Sequence, residues 1–193
     1  MRSMPAPLEI RLPDPCLVVL VGAAGSGKST FAARHVAPDV VLSADRFRAL
    51  IAGDAADQRA TRPAFAALHR ELRRRLAAGL LTVVDATSVT ARAREALLRD
   101  AAGAGTPAVA IVLDLPRDEV LARNRGRGGA AVVPEAAVLR QLGELERSLA
   151  GDGVGREGFA AAVRLATLHD VDAVRVVRVP RPARDGRRVT PGS

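Results

Sequence analysis

Nine consecutive residues carry the plainest chemical signal in this sequence: Gly22, Ala23, Ala24, Gly25, Ser26, Gly27, Lys28, Ser29 and Thr30. They match the pattern G-x-x-x-x-G-K-[ST] at every fixed position. Each part of that pattern has a physical reason. Glycines let the backbone wrap closely and turn its N–H groups inward. A helix starting behind the loop adds unpaired donors and a dipole that favours an anion. A lysine ammonium reaches the outer phosphates, and a serine hydroxyl offers Mg²⁺ the oxygen that a hard ion prefers. The chemistry encoded is capture of a nucleoside triphosphate, ATP with Mg²⁺. Lys28 is also the sole lysine among 29 Lys and Arg residues. A chain that otherwise uses arginine keeps a compact ammonium here, where a planar guanidinium is a poor substitute.

Other residues fit a transfer of the terminal phosphate. Transfer to a hydroxyl calls for a carboxylate that takes the proton. Asp45, at the end of Leu42-Ser43-Ala44-Asp45, is the candidate, with helix N-cap as its structural alternative. Arg48 lies three residues on, on the same side if the turn is helical. It is read as holding a phosphate or backbone oxygen of the acceptor, or as a solvated arginine. Asp85 ends the apolar run 81–84 and suits a carboxylate near Mg²⁺, or else a cap. Thr87 and Ser88 are placed to orient phosphate, water or that carboxylate. Arg117, Arg123, Arg125 and Arg127 surround a glycine-rich patch. A mobile segment of this kind can close over a triphosphate and stabilise charge on the transferring group. Arg123 and Arg127, four apart, are the favoured pair.

These residues need elements that bring them together. Residues 16–21, 40–42, 80–84 and 108–113 read as strands, the longer ones continuous apolar runs. Helical patterns lie at 29–35, 45–51, 63–78, 90–101, 117–125 and 134–149. Pro63 fits a first turn, and Phe65, Leu68, Leu72 and Leu76 recur at helical spacing. Segments 162–166 and 173–179 read as late strands forming a hairpin. Segments 1–7, 53–61, 151–158 and 181–193 read as loose, the last as a flexible basic tail. Apolar strands alternating with helices predict an α/β fold, a parallel sheet covered on both faces. Ligands of such sheets sit beyond the C-terminal strand ends, where Ser29, Asp45, Asp85 and 115–127 all fall. The division expected is one domain over 1–180, with a mobile lid at about 117–133, and the tail at 181–193.

Composition sets outer bounds. With aromatics at 2% and no Trp or Tyr, a stacking platform for bases is disfavoured. Phe31, Phe47, Phe65 and Phe159 are read as core. The net charge of +8 suits nucleic acid, nucleotide or an acidic surface. However, half of that excess lies between Asp172 and Arg188. Cys16, the single cysteine, reads as a small buried hydrophobe. His35, His69 and His169 are too dispersed for a metal motif, and His69 reads as structural. With no signal-peptide core and no apolar span of about 18 residues, the expectation is a cytoplasmic protein that does not enter a membrane.

The chain resembles the kinase domain of bacterial end-healing polynucleotide 5′-kinases, within the P-loop phosphotransferases of the AAA_33 type. The resemblance runs from about Leu17 to Arg147. It rests on the run 17–31, Leu42-Ser-Ala-Asp45, 64–69, Leu81-Thr-Val-Val-Asp-Ala-Thr87, Arg123-Asn-Arg-Gly-Arg127, Val132-Val133-Pro134 and Arg140-Gln141. It implies the adenylate-kinase-like P-loop sheet, with ATP as donor. Lys28 and Ser29 then hold phosphates and Mg²⁺, and Asp45 is the base for the 5′-hydroxyl. Arg48 contacts the neighbouring acceptor phosphate, and Arg127 clamps the donor from the lid. Ser88 departs from the family's usual Asn, and 126–130 lacks expected polar residues. The full end-healing protein carries phosphatase and ligase modules; here such chemistry would come from a separate partner. The leading expectation is transfer of the γ-phosphate of ATP to the 5′-hydroxyl of DNA or RNA. The alternatives are a P-loop kinase of a small molecule (sugar, nucleoside or antibiotic hydroxyl) and a nucleotide-gated interaction protein.

Overall fold

The computed structural model describes residues 8–52, 61–128, 131–151 and 153–180. The readings placed on 1–7, 53–60, 129–130 and 181–193 lie outside the described residues. The elements run β1 (Glu9–Asp14), β2 (Leu17–Val21), α1 (Lys28–His35), β3 (Val41–Ser43), α2 (Ala44–Ala52) and α3 (Thr61–Ala77). They continue with β4 (Thr82–Asp85), α4 (Ala91–Gly103), β5 (Ala108–Leu113), α5 (Arg117–Arg125), α6 (Glu135–Leu149), β6 (Ala161–Leu165), α7 (Leu168–Ala173) and β7 (Arg175–Pro180).

Five of the strands form one parallel sheet in the order β3-β4-β2-β5-β6. Every residue of β2, β4 and β5 is buried, as unbroken apolar runs require when both faces are covered. Alternate side chains feed opposite layers. Val18, Leu20, Ile111 and Leu113 join Phe31 of α1 and Val120 of α5. Leu17, Val19, Ala110 and Val112 join Leu68, Leu72 and Leu76 of α3 and Leu97 of α4. Leucines this deeply buried are worth about 1.5–3 kcal/mol each. The expected α/β fold is therefore the observed one.

The late strands depart from the expected hairpin. β6 extends the main sheet parallel to β5, whereas β7 pairs with β1, also parallel, in a separate two-stranded sheet. The cause is α7, which lies between them. Thr167 and Asp170 close a capping box at its start, so the chain crosses over rather than turning back. β1 escaped the sequence reading, although Ile10 and Leu12 alternate with exposed Glu9 and Arg11. The segment 151–158, expected to be loose, contains a 3-10 turn at Val154–Arg156 with Val154 buried.

Two expectations about single residues hold. Cys16 is fully buried, and burial, with Asp14 adding to it, pushes its thiol up to about 12, where no thiolate forms near neutral pH. His69 is structural: its Nδ1 lies 2.5 Å from Asp100 Oδ2, and Arg73 donates to the same carboxylate at 3.2 Å. These contacts tie α3 to α4. Among the described residues no helix is long and apolar enough to cross a membrane.

Candidate functional site

The cradle begins where β2 ends. Gly25 and Gly27 hold φ of 88° and 94°, a region that favours glycine. A Cβ on Gly22 would come within 2.5 Å of Ser26 Oγ and 2.9 Å of the Leu113 carbonyl oxygen. On Gly25 it would come within 2.4 Å of the Val120 carbonyl oxygen. Three of the pattern's glycines are thus required by contact or by backbone angle. Gly27 caps α1, whose first turn carries no acidic residue, leaving that N-terminus suited to an anion.

Lys28 is 8% exposed, and its Nζ donates to the carbonyls of Gly22 and Ala23, both at 2.8 Å. Burial lowers its pKa from 10.5 to about 8; Arg127 pushes the same way, while Asp85 and Asp45 oppose. The ammonium is held back within its own loop, a cation awaiting a stronger acceptor. Ser29 Oγ donates to Asp85 Oδ2 at 2.7 Å. Asp85 is therefore not a helix cap; Thr90 caps α4. The Ser29–Asp85 pair fits a magnesium ion, since a hydroxyl and a buried carboxylate are hard oxygen donors. Ser26 Oγ is buried without a partner, as a phosphate loop would leave it.

A cavity of about 390 Å³ opens from this cradle. Lys28, Ser29, Asp45, Arg48, Asp85, Thr87 and Arg127 all line it. Of the residues given roles outside the loop, Ser88, Arg117, Arg123 and Arg125 do not line this cavity. The Arg123 guanidinium instead lies over the loop, with Nη2 3.0 Å from where a Cβ on Gly27 would stand. Asp45 does not cap α2: the helix begins at Ala44, and the hydroxyl meeting the Arg46 N–H, at 3.4 Å, is that of Ser43. The Asp45 carboxylate is exposed and pairs with Arg48 one turn on. Arg117 and Arg125 serve elsewhere. Arg125 faces Glu135 at 3.5 Å, and Arg117 borders a separate cavity with Asp114 and Leu139.

The segment read as a lid, 117–133, divides in two. α5 buries Val120, Leu121 and Asn124, and the carbonyl of Val120 closes on Gly25. The connection to α6 is clipped at its base, where the Asn124 Nδ2 donates to the Val133 carbonyl at 2.7 Å and Oδ1 accepts the Val133 N–H at 3.2 Å. Arg127 stands on that connection, with Nη1 donating to the Ala131 carbonyl at 3.3 Å.

Several supporting residues were not singled out from sequence. Gln141 of α6 lines the cavity and accepts the Ala24 N–H at 2.8 Å. Arg94 of α4 is completely buried. Its Nε and Nη2 donate to Glu157 at 2.7 and 2.6 Å, and its Nη1 donates to the Ser88 carbonyl at 2.8 Å. Ser148 of α6 donates to the Val89 carbonyl at 2.6 Å. Together they pin the loop after β4 that carries Thr87. Phe65, read as core, is only half-buried and lines the cavity. Arg140–Gln141 appeared in sequence only as part of a family pattern.

Breaking a buried charge pair leaves an uncompensated ion and costs about 3–5 kcal/mol. Glu157→Gln is accordingly expected to lower the urea midpoint markedly, with the loss read from equilibrium unfolding. Arg94→Met, which removes the buried charge itself, should lose less stability than Glu157→Gln.

A phosphate cradle on a parallel sheet, with paired oxygen ligands and a carboxylate lining the same cavity, defines a P-loop phosphotransferase. Residues 17–149 match the AAA_33 model, described as an AAA domain, and the chain belongs to that family of P-loop kinases. Among solved structures it is similar to a chain of the Pnkp1/Rnl/Hen1 RNA repair complex, at 23% identity and a TM-score of 0.61, covering 71% of this chain and 46% of that one. It thus spans less than half of that matched chain. It is also similar to a sugar kinase from Janibacter sp. (22% identity, TM-score 0.53, 79% of this chain and 85% of that one). A gluconokinase from Sinorhizobium meliloti matches at 20% identity and a TM-score of 0.52, over 83% and 87% of the two chains. No curated protein matches the sequence. Kinases of this family use ATP and typically Mg²⁺.

Proposed function

We propose that this protein is an ATP-dependent polynucleotide 5′-hydroxyl kinase, moving the γ-phosphate of ATP to the 5′-OH of DNA or RNA. The observation that carries the reading is the Asp45–Arg48 pair, a carboxylate with an adjoining guanidinium, lining the same cavity as Lys28, Ser29 and Asp85. A 5′ end needs both partners: a base for its hydroxyl and a cation for its neighbouring phosphate. Similarity to a chain of an RNA repair complex supports the same acceptor.

The amides of 22–30 and Lys28 hold the triphosphate. Ser29, with Asp85 behind it, holds Mg²⁺, whose contribution is to neutralise phosphate charge. Arg48 draws the acceptor phosphate in and so leaves the Asp45 carboxylate to the hydroxyl. The hydroxyl oxygen attacks the γ-phosphorus in line, its proton passes to Asp45, and the bond to the bridging oxygen of ADP breaks. Arg127 from the connection, and Arg123 from above Gly27, stabilise the charge on the transferring group. Thr87 positions the acceptor from the opposite wall.

Incubation with γ-labelled ATP and a 5′-hydroxyl oligonucleotide should place label on the 5′ end. Failure with every DNA and RNA oligonucleotide, for a protein that still binds ATP, overturns the reading. The scarcity of aromatic side chains favours the second reading, a small-molecule kinase. Phosphorylation of a sugar, nucleoside or antibiotic that oligonucleotides do not inhibit would establish it instead.

A further inference from the structure

Helix α6 separates two cavities. Arg140, Gln141 and Glu144 line the one that holds Lys28 and Asp45. Leu139, Leu142, Gly143 and Glu146 line the other, beside Asp114 and Arg164. Val138 and Leu145 fall between the two sets on the helical wheel; both are buried and seat the helix on the sheet. This partition gives Gln141 a direction, because its side chain leaves α6 on the nucleotide side. Gln141 also follows Val138 by three residues and precedes Leu145 by four, a spacing that borders the apolar stripe. An apolar side chain would serve there by packing alone. The amide has other work.

A primary amide offers one acceptor oxygen and two N–H donors. In Gln141 the partner decides which end is which. The Ala24 N–H is a donor, so the atom 2.8 Å from it is the oxygen Oε1, and the NH2 group cannot take that place. Nε2 is thereby left over, and no hydrogen bond to another described residue engages it. Glu144, one turn along the helix, is engaged by Arg147 at 3.1 Å.

Ala24 lies at the end of the loop where the outermost phosphate belongs. Lys28 marks that end. A loop lysine serves the outer phosphates, and this one rests on the carbonyls of Gly22 and Ala23, the two residues before Ala24. A donor held beside Ala24 and directed into the cavity therefore faces the terminal phosphoryl group of a bound triphosphate. We propose that Gln141 is a further catalytic residue of the transfer site: Oε1 anchors it to the Ala24 N–H, and Nε2 donates to an oxygen of the γ-phosphoryl group. A donor to an ionised acceptor is the stronger kind of hydrogen bond, and charge builds on that group during transfer. ADP presents no such oxygen. The inference depends on the triphosphate cradle and on no particular acceptor.

Calorimetric titration with ATP and with ADP, each with Mg²⁺, tests it, and the readout is the ratio of the two dissociation constants. Gln141→Met removes anchor and donor together. It should weaken ATP relative to ADP by about tenfold, the scale of losing a hydrogen bond to a charged group. Gln141→Glu keeps an oxygen for the Ala24 N–H but turns a second carboxylate oxygen toward the phosphate. It should weaken ATP further, through repulsion, while ADP binding stays near the wild-type value. If Gln141 only shaped the loop, the methionine variant would weaken both nucleotides equally, and the glutamate variant, retaining the anchor, would bind both normally. Either pattern overturns the proposal, as does an unchanged ratio in both variants. A wild type that binds neither nucleotide overturns it together with the cradle. The measurement uses no acceptor, so the oligonucleotide assay of the proposed function succeeds or fails separately.

Discussion

Alanine at position 28 is expected to lower kcat/KM for phosphate transfer by about 10²–10³-fold, the range for losing a preorganised charge-stabilising donor, and to weaken ATP binding as well. Both effects follow from where the ammonium sits. It is 8% exposed and donates to two carbonyls of its own loop. Triphosphate oxygens are the stronger acceptors, so Nζ moves from the carbonyls to the nucleotide on binding. Alanine leaves the amides of the cradle in place and removes the one cation that its loop supplies. Arginine is no remedy: its planar fork does not fit a slot shaped by the Gly22 and Ala23 carbonyls. ATP titration calorimetry and single-turnover transfer read the two effects separately. Near-normal transfer by a folded Lys28→Ala protein would contradict the cradle assignment.

The same burial has a signature in stability. A lysine pKa lowered from 10.5 to about 8 means that folding works against the charged form, by roughly 3 kcal/mol. The sign follows from proton counts. Between about pH 8 and 10.5 the unfolded chain binds the proton that the folded chain has released, so this group's contribution to stability rises with pH. Below pH 8 the penalty is fully present. Lys28→Met should therefore unfold at higher urea than the wild type at pH 7, with the gap narrowing as pH rises toward 10.5. Such a trade of stability for function is what a buried site cation produces.

The features legible in the sequence share one property, in that each is local. The phosphate loop is nine adjacent residues whose geometry comes from glycine and whose chemistry comes from Lys28 and Ser29. The strands β2, β4 and β5 declare themselves as unbroken apolar runs because both of their faces are covered. Once the strands are parallel, the placement of Asp85 at the end of β4 and of Asp45 just after β3 follows from topology.

Side chains that cross between elements were not legible. Gln141 reaches Ala24 over a separation of 117 residues, and Arg94 reaches Glu157 over 63. Nothing in either local segment marks the partner. Arg94 was one arginine among many, and only its complete burial separates it from the rest. Phe65 packs against the core as read, but its second place, on the cavity wall, was hidden for a different reason. It begins a helical stripe with Leu68, Leu72 and Leu76, and periodicity alone makes all four core. The lower three are fully in the core, whereas Phe65, at the top of the stripe, packs against that core and also lines the cavity. Strand β7 lies where the sequence places it, but its pairing was not legible, because pairing choice is tertiary: a helix inserted after β6 sends it to β1.

Asparagine at position 45 poses the sharper question, because it separates binding from chemistry. Asp45→Asn keeps the shape and a hydrogen-bonding carbonyl but cannot take a proton. General base catalysis is worth about 10²–10⁴-fold, and kcat should fall within that range. ATP affinity should change less than about twofold, since in the proposed mechanism the carboxylate serves the acceptor and the loop amides and Lys28 hold the triphosphate. Arg48 sharpens the interpretation. In the resting site it pairs with Asp45, and the asparagine variant weakens that pair. KM for an acceptor bearing a phosphate should then hold steady or fall even as kcat collapses. If Asp45 only steadied Arg48, the variant would raise that KM and spare kcat. Asp45→Ala adds a control: it should lose kcat as Asn does, because both lack the base. Transfer at near wild-type kcat in either variant would mean that the hydroxyl loses its proton elsewhere, and that the pair on α2 serves acceptor binding alone.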